Sequence, residues 1–320
     1  MDSNATSLRV TGLRVVKPGP FSTFQDLGRR GRGHQGVARS GAFDQHSHRL
    51  ANRLAGNDLE AATIEILLGP CEFESTGDVI VSITGTDALA VVGRYDSAAN
   101  VDSRSPWMQI REVSCNVAFV LHAGEYLRIG TPSNGLRTYL SARGGFAVAP
   151  VLGSRSYDSL GQIGPSPLCT GDLLLIGSSP TADVWFEVVP LRLPLDPIGI
   201  PLLLGPRHNW LSENALAELE SLTWTIDPAS NRTGIRFAGP PLERRQGELP
   251  SEAMIPGAVQ LPPSGLPIVL GPDGGTTGGY PVIGVIPQSG LDSLAQRRPG
   301  RQVQFNIRQH GLSCRNITTT

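Results

Sequence analysis

From Leu8 to Ile307 the chain is a succession of short, often β-branched runs, each cut off by Gly, Pro, Asn or Asp. Leu8–Val16, Thr63–Leu68, Val79–Ile83, Asn116–Leu121, Arg137–Ser141, Val184–Val189, Pro281–Ile286 and Gln302–Ile307 are examples. Runs of this length, with 38 glycines and 26 prolines among 320 residues, are too short for a helical protein. They predict many short strands, and hence barrels or sandwiches.

Two stretches break the pattern and predict helices. Asp44 stands as an N-cap before a run ending at Ala55, where Gly56 supplies the stop; Leu50, Ala51, Leu54 and Ala55 make the apolar face. Ser212 caps a second helix to about Leu222. There Leu211 and Leu216 have hydrophobic-staple spacing, and Leu216, Leu219 and Leu222 continue a buried stripe. The expected fold is mostly β with two short helices. Pro190–Gly199, with its repeated prolines, reads as a linker between an N-terminal lobe, 8–189, and a C-terminal lobe, 198–308.

The formal net charge is −1, so a nucleic-acid or anionic-membrane partner is not expected. No apolar run approaches the length of a membrane span, and residues 1–20 lack a signal-like apolar core. Cys71, Cys115, Cys169 and Cys314 are widely spaced, which suits a reduced, cytoplasmic protein.

The densest polar stretch runs from Phe24 to Asp44. It holds Gly28, Gly31, Gly33, Gly36 and Gly41 among Gln25, Asp26, Ser40 and several arginines. Glycine lets backbone approach backbone or ligand closely, and polar side chains packed between glycines need partners. Asp26 and Asp44 are the carboxylates placed to act as a base, with an arginine partner or a helix cap as their structural alternatives. Gly31–Gly36 matches G-x-G-x-x-G, but neither a strand before it nor a helix directly after it is expected, so it is no dinucleotide site. Gly274-Gly-Thr-Thr277 could cradle an anion through N–H groups and the Thr276 and Thr277 hydroxyls, although it has no lysine. Arg155, Arg232 and Arg236 could grip a carboxylate or phosphate. His46-x-His48 is a poor metal pair, because residues two apart on a helix face different ways; both read as surface residues, and no metal is expected.

Ordered motifs along the chain resemble the KipA family, which comprises the C subunit of bacterial 5-oxoprolinase and the carboxyltransferase region of urea carboxylase. They begin with Lys17-Pro-Gly, Phe24-Gln-Asp-Leu-Gly-Arg29, Ser40-Gly-Ala-Phe-Asp44 and Ala51-Asn-Arg-Leu-Ala-Gly-Asn57. They continue with Glu65, Tyr139, Leu152-Gly-Ser-Arg-Ser156, Gly205-Pro-Arg207, Ser230-Asn-Arg232, Gly257-Ala-Val-Gln260, Thr276-Thr-Gly-Gly-Tyr-Pro281 and Ala295-Gln296. The chain departs from the family pattern at Gly275, at His208-Asn-Trp210, and after Ile286, where the usual aspartate is replaced or displaced to Asp292.

The resemblance implies β-barrel lobes of cyclophilin-like character. It implies two partners, the KipI-like B subunit and a subunit-A-like protein, and ATP-dependent opening of the lactam of 5-oxo-L-proline to L-glutamate. ATP would be bound by this chain, by the partner or at their interface. A lactam is a stabilised amide with a poor leaving group, so activating its oxygen is what ATP would contribute. Catalytic roles would fall to Asp26, Asp44 and Tyr280, and substrate binding to Gln25, Arg29, Arg155, Arg232, Gln260, Thr276 and Thr277. Two alternatives remain open. One is a biotin-dependent carboxyltransferase acting on urea or a related amide. Its biotin would sit on a separate carrier, because Lys17 is the only lysine and lies outside a carrier hairpin. The other is a non-catalytic regulator that binds a KipI-like protein.

Overall fold

The computed structural model describes residues 11–95, 107–178, 180–190, 198–247 and 249–308. The expected linker falls largely on 191–197 and lies outside the described residues, as does Cys314. The chain divides into two compact units, residues 1–194 with 292–298, and residues 195–291 with 299–320. The boundary differs from the expected lobes at 292–298, which the sequence places in the second lobe.

The first unit holds β1 (Gly12–Lys17), β2 (Phe21–Gln25), α1 (Gln45–Ala55), β3 (Thr63–Leu67), β4 (Cys71–Ser75), β5 (Val79–Thr84), β6 (Ala90–Tyr95), β7 (Trp107–Val113), β8 (Val117–Leu121), β9 (Tyr126–Ile129), β10 (Arg137–Ala142) and β11 (Leu173–Leu175). They form a six-stranded sheet, β11-β1-β4-β9-β6-β7, and a five-stranded sheet, β2-β3-β10-β5-β8. One core joins the sheets: Leu13, Val15 and Phe73 from the first meet Phe24, Ile64, Val81 and Leu140 from the second. Sheet-on-sheet burial of this kind explains the strands' alternation of apolar and polar residues.

Helix α1 begins and ends where the sequence predicts. The Asp44 carboxylate accepts from Ser47 N at 2.9 Å, and Gly56 closes the helix at φ 70°. Ala51, Leu54 and Ala55 are fully buried, while Leu50 is half-buried. The helix lies against β5 and β10. Ser82 Oγ and Thr84 Oγ1 of β5 each donate to helix carbonyls at 2.7 Å.

The second unit is built on a closed barrel. Its elements are β12 (Ile198–Leu204), α2 (Glu213–Ser221), β13 (Trp224–Ile226), β14 (Gly234–Ala238), β15 (Glu252–Ala253), β16 (Ala258–Gln260), β17 (Ile268–Leu270), β18 (Thr277–Gly278), β19 (Val282–Val285), the first half of α3 (Gln288–Ala295), whose residues from Asp292 on belong to the first unit, and β20 (Gln302–Arg308). The barrel order is β12-β19-β16-β17-β14-β13-β20, closed by the parallel pair β12–β20. Strands β15 and β18 make a separate small ribbon. Ser212 caps α2 as expected, accepting from Ala215 N. Leu219 is buried, but Leu216 and Leu222 are only half-buried, so the stripe is narrower than predicted.

Three departures from the sequence reading have physical causes. Helix α3 is a third helix where two are predicted. Gly290 lowers its propensity, yet a Cβ there would stand 2.6 Å from Ile286 Cγ2, so packing selects the residue that hides the helix from view. Val184–Val189 is not a strand: Trp185 N and Val189 N donate to the Leu54 and Asn116 carbonyls, outside any ladder. Strand β2 runs into the start of the polar stretch, and its two apolar residues, Phe21 and Phe24, give no alternating signal.

Candidate functional site

The expected site residues fall into four groups. The first is a knot around Asp26. Residues 26–29 run beside 39–42, with Arg29 N on the Arg39 carbonyl at 2.6 Å and Ala42 N on the Asp26 carbonyl at 2.8 Å. Gly28 and Gly41 make the crossing possible. A Cβ on Gly28 would lie 2.4 Å from the Arg39 carbonyl oxygen, at a φ of 83° that side chains rarely adopt. Asp26 ends this segment buried. Its Oδ1 accepts from Ser154 Oγ and Ser156 Oγ at 2.6 Å each and from Gly28 N at 2.7 Å; its Oδ2 accepts from Arg155 N at 2.6 Å. Burial alone would raise its pKa, but these four donors outweigh it and hold the carboxyl below the usual range.

Arg29, 2% exposed, donates to the carbonyls of Val151, Ser156 and Ile163. Gln25 Nε2 donates to the Tyr157 carbonyl at 2.9 Å and Arg155 Nε to the Val148 carbonyl at 2.6 Å. Gln25, Asp26, Arg29 and Arg155 therefore meet in one place. What they hold is the loop 151–163, which displays Val151, Leu152 and Leu160 to solvent.

The second group surrounds Asp44. Its carboxylate takes Ser47 Oγ at 2.6 Å and Gln296 Nε2 at 2.7 Å in addition to the helix-capping bond. Here burial wins over the hydrogen bonds and raises the pKa. Next to it Tyr139 OH donates to Glu65 Oε2 at 2.8 Å and accepts from Asp44 N; burial followed by the Glu65 charge pushes this phenol well up. Glu65 also faces Arg137 Nε at 3.4 Å. Gln296 Oε1 receives the N–H groups of Leu136 and Arg137, and Asp292 Oδ1 receives Gln45 N. The displaced aspartate thus helps to seat α1, and these bonds explain why 292–298 belongs to the first unit.

The remaining two groups are in the second unit. Arg232 is clasped bidentately by buried Asp273, Nε to Oδ2 at 2.8 Å and Nη2 to Oδ1 at 2.9 Å. The pair fixes the Gly271–Gly275 turn, so the Arg232 fork is already engaged. Gln260, Thr276, Thr277 and Tyr280 gather around the β15–β18 ribbon. Gln260 Nε2 contacts Met254 Sδ at 3.5 Å, and Met254 N donates to the Thr276 carbonyl. Thr277 and Tyr280, the latter 46% exposed, are open to solvent. The Gly274–Thr277 turn leads into a strand, not a helix, and brings no lysine, so it does not fit a P-loop phosphate cradle.

His48 corrects the surface reading of His46-x-His48. It is fully buried, with Nδ1 on Thr63 Oγ1 at 2.9 Å and Nε2 on the Leu59 carbonyl at 3.1 Å, and burial lowers its pKa to about 4. Ala51, Leu54 and Ala55 bury the adjacent helix surface and take His48 with them. Among the described residues no helix is long and apolar enough to cross a membrane.

A cleft of about 500 Å³ opens beside the Asp26 knot, lined by Arg30, Arg49, Asn57, Asp58, Leu59 and Glu60 among others. The sequence reading missed it. The signal was available as charge: from Gly28 to Arg53 there are six arginines and a single acid, Asp44.

Comparison with known proteins adds to this geometry. The carboxyltransferase domain, subdomain A and B, matches residues 35–307. The chain is 33% identical to the C subunit of 5-oxoprolinase from Escherichia coli, over 92% of this chain and 90% of that one. It is 28% identical to the urea amidolyase of Saccharomyces cerevisiae, covering 94% of this chain but only 17% of that one. Among solved structures, TTHA0988 superposes with a TM-score of 0.80 at 32% identity, covering 93% of this chain. This chain spans 56% of TTHA0988. The Kluyveromyces lactis urea carboxylase shares the fold at a TM-score of 0.80 and 24% identity, across 28% of its length.

Proposed function

Because the chain belongs to the family of the carboxyltransferase domain, subdomains A and B, we propose that it is the C subunit of a 5-oxoprolinase complex. One observation carries this reading: the likeness to the 5-oxoprolinase C subunit covers nearly all of both chains, whereas the likeness to urea amidolyase covers a small part of a much longer protein. The reaction is hydrolysis of the lactam of 5-oxo-L-proline to L-glutamate, driven by ATP. We assign nucleotide binding to the partners, the KipI-like B subunit and a subunit-A-like protein; the Gly274–Thr277 turn, which leads into a strand and has no lysine, is not a P-loop.

In this reading the chain orients the small amide and manages its charge. Asp26, saturated by four donors, acts with Arg29, Gln25 and Arg155 to present the loop 151–163 in one conformation. A role as base would require one of those donors to give way. Asp44 keeps α1 and residues 292–298 in register. Tyr280 and Thr277, open to solvent, and the half-buried Thr276 beside them are the groups proposed to meet substrate directly. Arg232 acts through Asp273 by holding their turn.

A carboxyltransferase acting with biotin is the second reading, favoured by the family's own description. Lys17 ends β1, which pairs with β4 and β11, while β2 belongs to the other sheet; no carrier hairpin exists there, and biotin would sit on another protein. A regulator that binds a KipI-like protein without turnover is the third. Co-purification with the two partner proteins, followed by assay of glutamate release from 5-oxo-L-proline, separates them. ATP-dependent glutamate supports the hydrolase, and a stable complex that never releases glutamate overturns it.

A further inference from the structure

Gly205-Pro-Arg207 is a sequence motif that the proposed function leaves unused. It lies where β12 ends against β19: Gly205 N donates to the Ile283 carbonyl at 2.9 Å, and a Cβ on Gly205 would stand 3.0 Å from the Val282 carbonyl oxygen. Two residues on, the Arg207 side chain reaches Glu252 of β15. Its Nε donates to Glu252 Oε1 at 3.1 Å, and its Nη2 donates to the same oxygen. The pair is therefore one-sided. Arg207 Nη1 and Glu252 Oε2 have no hydrogen-bond partner among the described residues, and the two side chains are 38% and 33% exposed. Arg232 is the contrast, since it places Nε and Nη2 on the two separate oxygens of buried Asp273.

The β15–β18 ribbon decides what surrounds this pair. Glu252 stands opposite Gly278, and Met254 N donates to the Thr276 carbonyl at 2.8 Å, so strand alternation puts Glu252, Met254 and Thr276 on one face. Gly278 has no side chain, which admits Gln260: a Cβ there would stand 2.8 Å from Gln260 Nε2. Gln260 is 8% exposed, yet its Nε2 donates only to the Met254 thioether, a weak acceptor, at 3.5 Å. Its Oε1 has no hydrogen-bond partner among the described residues. A buried amide satisfied so poorly is completed by a ligand with stronger groups.

An arginine paired with a glutamate carries no net charge, so it has no pull on an anion. With one donor and one acceptor left open, it matches a neutral group that presents an acceptor beside a donor. We propose that Arg207 and Glu252 determine specificity by reading the edge of a cis amide: Nη1 donates to the amide oxygen, Oε2 accepts the amide N–H, and Gln260 flanks them. An amide is planar, and a five-membered ring closes it cis, which sets C=O and N–H side by side on one edge. Urea offers the same edge. Each bond has one charged partner, the stronger kind. The hydrogen bonds from Arg207 hold the Glu252 carboxyl below its usual range, so it is an acceptor at neutral pH. A carboxylate on the ligand turns away from Glu252. The cis-amide preference is argued from the pair itself; that the amide is the lactam of 5-oxo-L-proline rests on the proposed function.

The test is calorimetric titration of the full-length chain with 5-oxo-L-proline, its N-methyl derivative and urea, repeated for Glu252→Ala, Glu252→Gln and Arg207→Gln. The natural chain is expected to bind 5-oxo-L-proline roughly tenfold more tightly than the N-methyl form, which keeps the carbonyl and loses the N–H. Glu252→Ala brings that ratio close to one, and Glu252→Gln falls between. Arg207→Gln weakens both ligands. A merely structural pair would weaken both alike in every variant and leave the ratio untouched. Where a variant misfolds, phenylglyoxal modification of the natural chain, read by peptide mass spectrometry, takes its place: 5-oxo-L-proline protects Arg207, and the N-methyl form protects it less. Absence of amide binding, a ratio that ignores Glu252, or modification of Arg207 indifferent to ligand overturns the assignment. The two claims fail separately. Binding of urea but not 5-oxo-L-proline, weakened by the same substitutions, keeps the site and removes the hydrolase reading. Glutamate release by the reconstituted complex that is unchanged in Glu252→Ala and Arg207→Gln keeps the reaction and removes the site.

Discussion

Asp26 and Asp44 are buried carboxylates in the same glycine-rich stretch, yet their surroundings push them in opposite directions. Asp26 meets two hydroxyls and two backbone N–H groups, and its pKa falls. Asp44 meets Ser47 and Gln296 in a fully buried position, and its pKa rises. The difference shows that donor count against depth of burial decides the outcome, since both residues are hydrogen-bonded. It also separates their roles. Asp26 is a permanent anion that organises a loop, whereas Asp44 is a cap and connector that tolerates a proton.

Removing the geometry that lets the Asp26 knot form has the largest expected effect. Gly28→Ala forces a Cβ against the Arg39 carbonyl oxygen at a left-handed φ. Left-handed strain and overpacking together cost roughly 2–5 kcal/mol, read as a shift in the urea midpoint. If the midpoint holds, the crossing of 26–29 with 39–42 is wrong.

Asp26→Asn comes next. An amide cannot accept from four donors, and its NH2 would face the Arg155 N–H, so about 2–4 kcal/mol is lost. The pH dependence gives a sharper readout. A depressed carboxyl pKa stabilises the fold above the unfolded value of about 3.9, and that stability fades as pH falls through the lower folded value. The acid limb of the stability curve is therefore shallower in Asp26→Asn than in the natural chain. Identical limbs would show that Asp26 is not the anion described.

Asp44→Asn has the smallest expected effect, about 1–2 kcal/mol at neutral pH: Asn is an equally good N-cap, but its NH2 would face the Gln296 Nε2 donor. Its pH signature runs the other way. With the folded pKa raised, the native state holds the proton longer, so stability falls as pH rises from the unfolded value through the folded one. Asp44→Asn abolishes that fall, so its stability relative to the natural chain rises with pH. Parallel curves for the two proteins would erase the contrast with Asp26.

The same stretch shows what a sequence reveals and what it hides. Capping is local, so Asp44, Gly56 and Ser212 mark their helix ends plainly. The arginine that ends a motif is also visible, but Arg29 looks like a ligand-gripping residue and instead serves three carbonyls of a loop over a hundred residues away. Arg232 likewise finds its acid forty-one residues on, in Asp273. The segment 292–298 joins the first unit through Gln296 and Asp292, contacts that no local pattern encodes. Val184–Val189 has strand composition without a strand, because composition cannot show that the nearest acceptors are a helix-end carbonyl and a turn. The arginine-lined cleft was countable as charge but invisible as shape.

The central functional claim is hydrolysis rather than carboxyl transfer. The most direct measurement supplies the reconstituted complex with 5-oxo-L-proline, ATP and 13C-bicarbonate and follows both products by mass spectrometry. The account predicts ATP-dependent, unlabelled L-glutamate with no labelled carboxylated product. Accumulation of a 13C-carboxylated amide dependent on a biotin carrier, without glutamate, would contradict it.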